Sequence, residues 1–227
     1  SQAAVEEAKA GIQESRANLT GVKVGSPREI QAQQAVIARL EAQLRGEQQA
    51  ANATISRLQA QLQGESVSQQ ATINRLAVEL QGQQETLRAT VARVQGEARN
   101  SQVDAQRYEQ LYRQGAISQQ ERDRRRLSAQ STNQQLIESQ ANRRRAIASL
   151  RQQLAQARAD REKTIAILRQ QLVEAQANRN KAITTLQRQI QEQKAHLNRL
   201  QEIRPSNTRI AQAQVNNAIA QLRKAEA

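Results

Sequence analysis

The chain has 227 residues and a formal charge of +13; it is 37% hydrophobic but only 1% aromatic, with two Tyr and no Phe, Trp, Met or Cys. A globular domain of this length fills much of its core with aromatic side chains, so this composition excludes a compact α/β enzyme. Two Pro and eight Gly are too few for a loop-rich sandwich or barrel. The absence of Cys rules out a disulfide framework and a thiolate metal site. No run approaches the ~18 consecutive apolar residues of a membrane span, and no signal-peptide pattern opens the chain. It begins and ends in mid-helix pattern without a start Met, which reads as a fragment of something larger.

The elements follow in order. A basal helix is expected over 2–20. Ser26-Pro27-Arg28-Glu29 then reads as a capping box with Pro at the first helical position, so a break is predicted at Pro27 and an ascending helix over 27–114. Along it Ile37, Leu40 and Leu44 recur as Ile55, Leu58, Leu62 and as Ile73, Leu76, Leu80, each 18 residues on. Arg39, Arg57, Arg75 and Arg93 keep the same step, as do Gly46, Gly64 and Gly82. Apolar offsets of three and four are helical. Eighteen residues at ~3.6 per turn make five whole turns, so the apolar stripe does not drift and each repeat adds ~27 Å.

The tip is predicted at 114–118. Gly115 is the only Gly after Gly96 and suits the left-handed residue that closes a helix. Ser118-Gln119-Gln120-Glu121 reads as a second capping box. A descending helix is expected over 118–204, with Ile147, Leu150, Leu154, then Ile165, Leu168, Leu172, then Ile183, Leu186, Ile190 on the same 18-residue step, accompanied by Arg143, Arg161 and Arg179. A break is predicted at Pro205, followed by a basal helix over 208–226. Residues 2–20 either continue the pair or fold back as a third helix.

The fold class expected is therefore all-α: a long, nearly straight antiparallel coiled-coil hairpin with a short tip turn. Pairing positions whose numbers total 232 places Gly46, Gly64 and Gly82 opposite Leu186, Leu168 and Leu150. Two readings of these glycines stand: close approach over a facing Leu, or simple copying with the repeat.

Charge is uneven. Up to Ile117 there are 13 basic and 12 acidic residues; beyond it, 21 and 9. Arg124-Arg125-Arg126 and Arg143-Arg144-Arg145 are the densest basic runs. Nucleic-acid binding is not expected, because no aromatics alternate with them and three successive Arg fan around a helix. Catalysis finds no candidate residues: the carboxylates are scattered, His196 stands alone in a Gln- and Lys-rich stretch, and no Gly-rich phosphate loop occurs. No cofactor and no metal are expected. Arg57 and Arg161 read as shaft positions.

The tip segment carries the one specific signal. Arg107, Leu111 and Ser118 are spaced by four and seven. This resembles the Arg-x3-Leu-x6-Ser tip motif of periplasmic adaptors, or membrane fusion proteins, of tripartite efflux pumps and type I secretion systems. Residues 107–126 look most like the haemolysin-secretion (HlyD) type, with the DevB-like exporter branch a related candidate; Gly115, Ala116 and Ile117 would shape the turn. The resemblance covers about 20 residues by motif and the rest by architecture. The 18-residue repeats depart from the heptads of many adaptors.

The resemblance implies a non-enzymatic α-hairpin that reaches from an inner-membrane transporter to a TolC-type outer-membrane channel. It also implies a periplasmic location, a β-barrel, lipoyl domain and membrane anchor outside these residues, and self-association as a hexamer. Two rivals remain: the coiled-coil arm of a DNA-associated ATPase, which should lead to a hinge or head, and a plain structural scaffold.

Overall fold

The computed structural model describes residues 2–226, which form two helices, α1 (Gln2–Arg113) and α2 (Gln119–Glu226), joined by a five-residue connection. No strand occurs among the described residues. The described residues divide into two compact units, a basal one of 2–57 with 172–226 and a tip unit of Leu58–Gln171. Each is an antiparallel helix pair.

In the basal unit Leu19, Ala211 and Val215 are buried together, with Val22 and Ile219 against them. The Asn18 amide donates to Gln214 Oε1 at 3.1 Å, and Gln33 Nε2 donates to the backbone and side-chain oxygens of Gln193 at 3.2 and 2.6 Å. Glu41 meets Lys194 at 2.8 Å, and that hydrogen bond and charge hold the Glu41 carboxyl below its ordinary value. Residues 2–20 therefore pair with the end of α2 and do not fold back as a third helix.

In the tip unit Ile73, Leu76 and Leu154 are buried together, flanked by Ala77, Leu80 and Ala157. Position numbers total 232 for Asn18–Gln214, 230 for Leu76–Leu154 and 231 for Glu109–Arg122, so the register read from the prolines and Gly115 holds within each unit. The seam is thin. Its best-buried side chains keep 3–9% exposure and none is fully enclosed, because one helix can cover only one flank of the other. Aliphatic side chains suffice for such a seam, which accounts for the missing aromatics.

Two sequence expectations are corrected. The breaks at Pro27 and Pro205 are absent: both prolines lie inside continuous helix, so 2–20 and 208–226 are not separate elements. Each Pro forfeits one backbone bond, at a cost of ~3 kcal/mol. Packing on either side holds the helix through it, with Leu19 and Val22 below Pro27 and buried Ile37 above. Ser26 and Glu29 consequently cap nothing.

Of the two readings open for the glycines, close approach over a facing Leu fails. A Cβ at Gly46, Gly64 or Gly82 would meet nothing within 4 Å, so no Leu crowds them. Gly64→Ala and Gly82→Ala should each raise stability by about 1 kcal/mol through helix propensity alone. Urea unfolding followed by circular dichroism reads this, and a loss of stability would contradict the open environment.

The second arginine series is the seam's polar component. Arg161 is half-buried and donates from Nη2 to Ser66 Oγ at 3.4 Å. The Nε atoms of Arg161 and, in the basal unit, Arg179 are buried without a hydrogen-bond partner. Arg57, Arg75 and Arg93 on α1 are exposed. The two series share a period but not a role.

Candidate functional site

The turn is built by hydrogen bonds that the residues dictate. Gly115 adopts φ 71°. Its N–H donates to Tyr112 O at 2.9 Å, and Ala116 N–H donates to Leu111 O at 2.9 Å. These are the two bonds of a Schellman closure, in which a left-handed residue lets the chain fold back over its own last carbonyls. Ser118 then opens α2: its Oγ accepts from the Glu121 amide at 3.2 Å, and its carbonyl accepts from Arg122 N–H at 3.2 Å. The reciprocal half of the capping box does not form, because the Glu121 carboxylate accepts instead from Arg125 Nε at 3.4 Å.

A side chain at Gly115 meets no neighbour, yet its backbone is left-handed. Gly115→Ala should therefore cost about 1–2 kcal/mol from conformation alone. Thermal melts of the variant beside Gly82→Ala would show opposite signs for the same chemical change.

The structure places the sequence-predicted residues as follows. Arg107 is exposed on the last turns of α1, its guanidinium 3.6 Å from Asp104. Leu111 follows one turn later on the same side and is half-buried. Ser118 is exposed and serves as the α2 cap. Ala116 is exposed and Ile117 half-buried. No hydrogen bond or ion pair joins Arg107 or Leu111 to the Ser118 side chain among the described residues. What unites the three is their position around one turn.

Sequence reasoning missed the clamp beneath them. The chain's two aromatics, Tyr108 and Tyr112, each carry an arginine from α2: Arg122 lies 4.3 Å from the Tyr112 ring centroid and Arg125 4.7 Å from that of Tyr108. Arg122 donates from Nε and Nη2 to Asp123 Oδ1 at 3.0 and 2.7 Å, and its Nε lies 3.9 Å from Glu109 Oε2. The Asp123 hydrogen bond, then the charges of Asp123, Tyr112 and Glu109, raise its pKa against the opposing effect of burial. In each cation–π contact, the negative face of the ring attracts the guanidinium.

The signal was present in the sequence. In the 232 register Arg122 and Arg125 fall level with positions 110 and 107 of α1, beside the only two Tyr. Arg125, one of the triple-Arg run, is thus a structural stacking residue, whereas Arg124 and Arg126 remain exposed.

His196 is exposed. No helix among the described residues is long and apolar enough to cross a membrane. No protein family, curated protein or solved structure matches this chain.

Proposed function

We propose that this hairpin is the reaching arm of a periplasmic adaptor: a non-enzymatic protein whose tip docks on a TolC-type outer-membrane channel while missing parts hold an inner-membrane transporter. The observation that carries the reading is a coincidence of position. The Arg107, Leu111, Ser118 spacing occurs at the one turn of the chain, beside Gly115. A docking tip must present an exposed charge and a hydroxyl from a fixed frame; Arg107 and Ser118 are exposed, and the tyrosine–arginine clamp supplies the frame.

The reading further takes the protein to be periplasmic, to act with several copies of itself, and to bind no nucleic acid and no cofactor. Among its supports is the separation of duties along the chain: a seam of Ile and Leu holds the helices, and Gln, Arg and Glu face outward. Capture of a purified TolC-type channel from the same organism tests the proposal. Wild type should retain the channel and Arg107→Asp should not. Equal retention would leave the scaffold reading ahead.

A further inference from the structure

The tip unit sorts its charge into two opposite faces, and we infer that a second copy of this chain packs side by side on it, the basic face of one copy against the acidic face of the next. At roughly 100° per residue, Arg126, Arg144, Arg151, Arg158 and Arg169 of α2 fall roughly 45–85° to one side of its buried seam. On α1, Arg88 and Arg99 fall on the same side. Two grooves fix this assignment: Gln95 and Arg99 of α1 line one with Arg126, and Gln95 lines the next with Arg144 and Arg151. All seven arginines are exposed. Outside the tip clamp, Glu162 is the acid on that face.

The other side is different. Glu65, Glu79, Glu97 and Asp104 of α1 lie roughly 50–110° the opposite way from its seam, and Asp160 of α2 joins them at the same ~100° step. Arg75 and Arg93 sit toward the outer edge of this face, and Arg124 lies on the same line of α2 as Asp160, ten turns nearer the tip. Glu97 has a local partner in Arg93 at 2.6 Å and Asp104 in Arg107 at 3.6 Å; such exposed pairs are weak and exchangeable.

Height makes the two faces complementary. With the register total of 231 set by Glu109–Arg122, Arg169, Arg158, Arg151 and Arg126 lie level with positions 62, 73, 80 and 105 of α1, and Asp160 with 71. For two copies side by side at one level, Arg169 then lies level with Glu65, Arg158 with Asp160, Arg151 with Glu79, Arg99 with Glu97 and Arg126 with Asp104 on the facing copy. Each match is within three residues, ~4.5 Å of rise. A chain of net +13 repels its own copies unless charge is sorted in this way. The contact uses two different faces, so it is heterologous and propagates around a ring instead of stopping at a dimer.

This deepens the adaptor reading by naming the surfaces between copies, and rests on it only for placing the copies parallel and level. The chain has no Cys, so cross-linking is clean. In the 227-residue chain carrying both Arg151→Cys and Glu79→Cys, the two thiols lie on opposite faces and cannot join within one molecule. Oxidation in low salt should give a ladder of species beyond the dimer; either single variant should stop at the dimer.

Adding Arg158→Glu and Arg169→Glu, both exposed positions, should reduce the ladder at least about tenfold, as should 1 M salt, where screening shortens to ~3 Å. Circular dichroism should be unchanged throughout. No ladder, or one indifferent to salt and to charge reversal, overturns the interface. Channel capture by the same chain is read separately: a lost ladder with capture intact defeats the interface alone, and lost capture with the ladder intact defeats the docking reading alone.

Discussion

Arg107→Asp and Leu111→Ser are each expected to abolish capture of a TolC-type channel and export in cells while leaving the helices folded. Arg107 is exposed and pairs with Asp104 at 3.6 Å, so reversal sets two carboxylates three residues apart and costs the helix only ~0.5 kcal/mol. Leu111 is half-buried; truncation there removes about 1 kcal/mol of apolar contact from a turn still held by Gly115, Ser118 and the two tyrosine–arginine stacks. Melting temperature should therefore move by a few degrees at most while binding falls below detection.

Ser118→Ala separates less cleanly, since the lost cap itself costs about 1 kcal/mol. The shaft control must be chosen from the structure. Arg75→Asp serves, because Arg75 is exposed. Arg161, a shaft position in the sequence, does not serve: it is half-buried and bonded to Ser66, and a carboxylate there would disrupt the seam. Tip variants that bind and export like wild type would remove the main support for an adaptor.

Deleting residues 57–74 together with 161–178 should leave a folded hairpin that no longer supports export. Each deletion removes one 18-residue repeat, five whole turns, so the apolar stripe keeps its face and each helix shortens by ~27 Å. Arg75 then stands where Arg57 stood, Arg179 where Arg161 stood, and the residues of the turn are untouched. Stability should fall modestly with the lost seam, including the Ser66–Arg161 bond. Circular dichroism should report the same fractional helicity, and a substrate-export assay should fall at least about tenfold. Normal export by the shortened protein would argue against a bridging role, since a bridge depends on length and a passive scaffold need not. Deleting nine residues from each helix in place of 18 should unfold the pair: half a repeat is 2.5 turns, which turns the stripe to the opposite side of the helix.

Much of this protein was legible in its sequence because helical periodicity is a local property. Ile and Leu at offsets of three and four fix the buried stripe without knowledge of the partner. One Gly after residue 96 leaves one place to turn, and Gly115 does take the left-handed conformation there. The prolines gave the right register for the wrong reason. They lie level with each other, yet neither ends a helix, because seam contacts above and below outweigh one missing backbone bond.

What only the tertiary structure decided is what each polar side chain meets once two stripes close on each other. Arg57 and Arg161 are indistinguishable as letters on an 18-residue step; one faces solvent and the other bridges to Ser66 because it lies beside the seam. Gly46, Gly64 and Gly82 pair by number with seam leucines, of which Leu186 and Leu168 are buried, but face open space, because opposite in height is not opposite in direction. Tyr108 and Arg125 are 17 residues apart in the chain and become stacked neighbours only after Gly115 reverses its course. Spacing along one helix sets which residues share a face; which face meets which is set by the pair.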